Sequence, residues 1–166
     1  MALSDQLQNP LLGKWETQHE IAPFNVIYDE HFQPALEIAC SEALLEVEEI
    51  IKNRNEPTFE NTIEALLSTG QLLDRIVSTF YTIAGAHTNK KRDELLLIFS
   101  SKLSDHNTNI YSNTELFDRI DRVAETKHLN GLDPEQERVL KLIHRNFVRS
   151  GAALKGKNKT RFQDIS

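Results

Sequence analysis

"HFQPALEIACSEALLEVEEIIKN", residues 31–53, decides the fold. Phe32, Leu36, Ala39, Ala43, Val47 and Ile50 recur at steps of three and four, which places one apolar stripe along a long helix. Glu37, Glu42, Glu46, Glu48 and Glu49 fall on the other faces and read as acidic solvated surface. Pro34 is expected in or just before the first turn, where its missing N–H costs little. The same period governs the residues that follow. "NRNEPTFENT" (53–62) breaks the first helix, and Thr58 is expected to cap a second over 58–84. Its buried side would carry Phe59, Ile63, Leu66, Leu73, Val77, Phe80 and Ala84. Gly70 falls inside that helix, where a close helix–helix approach would explain it.

After the breaker "GAHTN" (85–89), with Thr88 as the expected cap, a third helix spans 90–109 and turns Leu95, Ile98, Phe99 and Leu103 inward. A fourth, over 114–127, buries Leu116, Phe117, Ile120 and Val123. It ends in "LNGL", where Asn130-Gly131 suits a left-handed cap. "DPEQ" (133–136) is the clearest start signal: Asp133 caps, Pro134 takes the first helical position and Gln136 completes a capping box. The fifth helix, 134–153, buries Val139, Leu140, Ile143 and Phe147. "KNKTRFQDIS" (157–166) resembles the opening of a sixth helix, with Phe162 and Ile165 in phase, that stops in mid-element. The expected fold class is all-α: a single, mostly antiparallel array of about five long helices, joined by short loops.

Composition narrows the function classes. The 166 residues are 39% hydrophobic and 27% charged, with a net charge of −6. That describes a globular chain, and its acidity argues against nonspecific nucleic-acid binding, which needs basic surface. The basic stretches "NKKR" (89–92) and "LKGKNKTR" (154–161) lack interleaved aromatics and read as solvated helix ends. No apolar run approaches the roughly 20 residues that span a bilayer, so no membrane association is expected. The N-terminus has no basic start followed by an apolar segment, so no secretion signal is visible. Cys40 is the single cysteine. It is expected to be a small buried hydrophobe, and a reducing cytoplasm is the expected compartment.

One stretch raises a metal question. "HEIAPFNVIYDEH" (19–31) opens like HExxH, in which two histidines four residues apart ligate zinc on one helical face and the glutamate activates water. The fifth position here is Pro23, and proline also disfavours the helix that the motif needs. The six histidines, at 19, 31, 87, 106, 128 and 144, include no pair at helical ligand spacing. His144 is expected to be a hydrogen-bonded histidine at the core margin, and His87 to make a local backbone contact. There is no GxSxG elbow, Gly-rich phosphate loop or CxxC. No residue is assigned as catalytic, cofactor-binding or metal-binding.

Several longer phrases carry a resemblance. In order they are "NPLL" (9–12), "APFNVIYDEHFQPALE" (22–37), "EPTFENTIEALLSTGQLLDR" (56–75), "AHTN" (86–89), "NIYSNTELFDRID" (109–121) and "GLDPEQERVLKLIHRNFVRSGAAL" (131–154). Together they resemble the N-terminal region of the thimet-oligopeptidase-like zinc metallopeptidases, closest to the bacterial peptidyl-dipeptidase branch and beside oligopeptidase A. The resemblance implies a piece of a much longer enzyme. In that family zinc is held by HExxH and a downstream glutamate far toward the C-terminus, and short peptides are cleaved in a channel that the N-terminal segment helps to wall.

The zinc catalytic domain, its ligands and its glutamate have no matching positions here. The resemblance therefore implies an inactive chain without a cofactor, with zinc in the full-length enzyme only. The implied partners are short peptide substrates of that enzyme and the remainder of its own polypeptide. A weak homodimer through surface exposed by truncation, at Phe162 and Ile165, is a further expectation. The competing reading is a stand-alone helical interaction module without catalysis.

Overall fold

The computed structural model describes residues 9–126 and 131–154. Five long helices account for most of them: α1 (Asp29–Lys52), α2 (Gln71–Ala86), α3 (Lys90–Tyr111), α4 (Thr114–Thr126) and α5 (Pro134–Arg149). A 3₁₀ turn at Gln18–Glu20 precedes them, and a π-helical turn, Phe59–Glu64, continues into Ala65–Leu67. No strand occurs among the described residues, so the all-α reading holds.

α1 begins two residues before the expected start, because the His31 Nδ1 accepts the Tyr28 N–H at 3.0 Å and draws the chain into a helix from Asp29. Pro34 therefore lies inside the helix, beyond its first turn. The six residues of the apolar stripe are all buried.

The expected second helix is two pieces. Thr58 does cap it, as a reciprocal box: Thr58 Oγ1 accepts from Asn61 N at 3.2 Å, and Asn61 Oδ1 accepts from Thr58 N at 2.9 Å. The Ala65 N–H then reaches Glu60 O, a five-residue step that widens the turn. At Gly70 the chain takes φ +74°, the left-handed conformation that favours glycine, and α2 starts afresh. The break changes the helical phase, so Ile76, absent from the predicted stripe, is fully buried, while Leu66 and Val77 are only half-buried. A β-carbon at Gly70 would meet the Ala43 β-carbon at 3.7 Å, an ordinary contact. The residue is needed for its backbone and not for space.

Two other boundaries move for local reasons. Asn89, not Thr88, caps α3: its Oδ1 accepts the Arg92 N–H at 2.9 Å, while Thr88 donates to Asp93. α5 ends at Arg149, because Gly151 turns left-handed at φ +80° and sends the Ala152 N–H back to Phe147 O. The Asp133 box forms as read, at 2.9 and 3.1 Å. Gly131 has φ +61°, while the expected cap of α4 falls on residues 127–130, which include His128 and Asn130 and lie outside the described residues, as do Phe162 and Ile165.

The chain forms two compact units. The first, Met1–Ala43 with Gly70–Ser104, is built around Phe32, Phe80 and Phe99. Phe80 and Phe99 stack at 3.9 Å between ring centroids, and Phe32 meets Phe80 edge-on at 5.2 Å. The segment before α1 is held to this unit by Arg75. Its guanidinium lies 4.6 Å from the Trp15 ring centroid and donates to the carbonyls of Leu11 and Gly13.

The second unit, Leu44–Thr69 with Asp105–Ser166, is organised by Ile63, Leu116, Ile120, Leu140 and Phe147. Arg119 of α4 ties it together, donating to Asn53 O at 2.7 Å and to Asn61 Oδ1 at 3.2 Å. Asn53 follows the end of α1, so one side chain closes the carboxyl end of that helix and braces the Thr58 cap.

Candidate functional site

The histidines and their neighbours define what chemistry the described residues can support. His19 and Glu20 lie in the 3₁₀ turn with φ of 59° and 53°, so the HExxH-like pair is not on an α-helix at all. His31 is occupied as the cap of α1, and its ring lies 5.6 Å from that of Tyr28. His87 is exposed and contributes its carbonyl to Arg92. His144 meets the expectation: its Nε2 is 2.8 Å from Asp121 Oδ1, and its ring centroid is 5.3 Å from that of Phe117. This pair joins α5 to α4 at the margin of the second core.

His106 was not singled out by spacing, yet it is 7% exposed. Burial holds its pKa below the usual histidine value, and its Nδ1 has no hydrogen-bond partner. It behaves as a neutral core group. Its signal was available in principle, since His106 falls seven residues after Phe99 on the inward stripe of α3.

Among the described residues no three His, Cys, Asp or Glu side chains converge as metal ligands would. The described residues do not fit a zinc site, which needs about three protein ligands around one point. Cys40 is half-buried and packed against the first core, less enclosed than expected. Burial pushes its thiol pKa up, against a smaller opposing effect of Lys102. A raised pKa leaves little thiolate at neutral pH.

An open depression of about 370 Å³ lies in the second unit, lined by Glu46, Glu49, Ile50, Asn53, Asn61 and Thr69 among others. Its amides are committed to the scaffold. Asn61 Oδ1 accepts from Thr58, Thr62 and Arg119, and Asn53 Oδ1 accepts from Asn55 N. The arrangement is that of a brace between helices. No described helix is long and apolar enough to cross a membrane.

The described residues form an all-α scaffold, and comparison with known proteins shows what the chain is similar to. No protein-family model matches the chain. It is 36% identical over 158 residues to the dipeptidyl carboxypeptidase of Salmonella typhimurium and 35% identical to that of Escherichia coli. The oligopeptidase A of Escherichia coli is more distant, at 25% identity over 163 residues. These matches cover 95–96% of the chain but only 23% of each relative. The chain is thus a relative of these peptidases over nearly all of its own length and spans under a quarter of theirs. This bears out the resemblance carried by its phrases, and the coverage is consistent with an N-terminal region.

Proposed function

We propose that the chain is the N-terminal helical segment of a longer zinc-dependent peptidyl-dipeptidase that degrades short peptides, and that it forms part of the wall of the substrate channel. The supporting observation is the 36% identity to a dipeptidyl carboxypeptidase over 95% of the chain. In this reading zinc, its ligands and the catalytic groups belong to the remainder of the polypeptide. The segment contributes shape: packed helices that exclude folded proteins and admit short peptides. The half-buried, single Cys40 suits a reducing cytoplasm.

The test pairs two measurements. The isolated chain, dialysed and analysed for metal, is expected to hold no stoichiometric zinc and to release no dipeptides. A chimera in which the chain replaces the matching region of the Escherichia coli dipeptidyl carboxypeptidase is expected to keep chelator-sensitive dipeptide release. One tightly held zinc per isolated chain, lost together with peptidase activity on chelation, would overturn the reading. An inactive chimera beside a well-folded isolated chain would favour the stand-alone interaction module.

A further inference from the structure

The loop between the 3₁₀ turn and α1 presents its apolar side chains to solvent. Ile21, Phe24, Val26 and Tyr28 are 55%, 47%, 44% and 57% exposed. The other large exposed hydrophobics of the described residues are scattered over the helices, whereas these four fall within eight residues.

The loop is not loosely attached. Ala22 and Ile27 are buried in the first core, the Phe24 and Val26 N–H groups donate to Ala22 O and Pro23 O, and Tyr28 N donates to His31. Two residues anchor it inward while four point outward. Four such side chains at about half exposure leave roughly 400 Å² of apolar surface in water, taking about 200 Å² for a free side chain of this size.

That area discriminates between occupants. A stable complex of free partners buries about 800 Å² on each side, so this surface alone is too small to hold a second copy. A partner on the same polypeptide needs far less, because tethering gives it a high effective concentration.

We infer that the Ile21–Tyr28 loop is the seat on which the remainder of the longer peptidase chain packs. This rests on the functional reading above, in which most of the polypeptide lies outside the matched 23%. The occupant is an apolar surface of that remainder.

The experiment compares Ile21→Ser/Phe24→Ser/Val26→Ser with the unaltered loop, in the isolated chain and in the chimera. Tyr28 is left unchanged because its ring packs near His31. The isolated chain is expected to lose only a few degrees of melting temperature on substitution, since about half of each side chain is already in water. The substituted chimera is expected to be cut by a protease about tenfold faster than the unaltered chimera, because proteolysis follows the population of the opened form.

Equal protease resistance with dipeptide release intact would overturn the inference and leave the functional reading standing. A raised KM for peptides at unchanged resistance would instead assign the loop to substrate, and overturn it. An isolated chain that dimerises at micromolar concentration, and loses the dimer on substitution, would make a second copy the occupant. If the unaltered chimera is itself inactive and readily cut, the functional reading fails and the inference with it.

Discussion

Arg92 Nε lies 2.8 Å from Asp29 Oδ1, and this pair joins the first turn of α3 to the first residue of α1. Asn89 completes the arrangement by donating to Asp29 Oδ2 at 3.1 Å. Both ends of the ion pair are mostly shielded from water, with side chains 19% and 16% exposed, so it differs from the open pairs elsewhere on the surface.

Substituting Asp29→Asn is expected to cost about 1–3 kcal/mol in urea unfolding, the usual range for losing a charge-assisted hydrogen bond. Burial raises the Asp29 pKa, but the hydrogen bonds from Arg92 and Asn89, aided by the charges of Arg92 and Lys91, hold it below the ordinary aspartate value. The folded state therefore favours the carboxylate. Its contribution is fully present above the unfolded pKa near 4 and is lost as pH falls through the lower folded value. The variant should lack that part of the acid dependence.

His106 acts at a different pH. Burial depresses its pKa, so the folded state favours the neutral ring. Stability from this source is present above the unfolded pKa of about 6.5 and declines as pH falls from there toward the folded value. Thermal melts between pH 7.5 and 5 are expected to show a downward slope that His106→Gln reduces. An unchanged slope in the variant would contradict the assignment.

Gly70→Ala is expected to destabilise by about 1–2 kcal/mol, because φ +74° places a β-carbon against the following carbonyl. Gly70→Asn should cost less, since asparagine tolerates the left-handed region better. Equal loss in both variants would point to packing against Ala43 instead.

Ile63→Asp should reduce stability by about 4 kcal/mol or more, because it buries a charge without a partner. Ile63 has no exposed surface, whereas Leu66 on the same stretch is half-buried. Leu66→Asp is therefore expected to be milder, and chemical unfolding of the two variants compares them directly.

What could be read in advance follows from how far each signal reaches along the chain. The α1 stripe, the Asp133 box and the Thr58 cap are local: three- and four-residue steps, or side chain to backbone within three residues. The left-handed break at Gly70 was missed because a glycine inside an apolar period is compatible with an unbroken helix, and the wide turn at Glu60–Ala65 leaves no compositional mark. Arg119 and Arg75 were missed because their carbonyl partners lie more than 50 residues away in sequence. No local period encodes such a pairing. The likeness to the peptidases was legible in the long phrases, but no site residue was, and the described residues offer no converging ligands.

Trp15, held beneath Arg75, is the sole tryptophan of the chain. It is 9% exposed and donates its indole N–H to Pro10 O at 2.8 Å. The first unit thereby owns a private optical signal: excitation at the red edge of protein absorbance reports on the surroundings of this one indole, while the second unit stays dark. A red-shift of its emission times the release of the 9–28 segment from Arg75, independently of any helix-content readout. Comparing the two traces during unfolding resolves whether the units part with their structure together or in sequence.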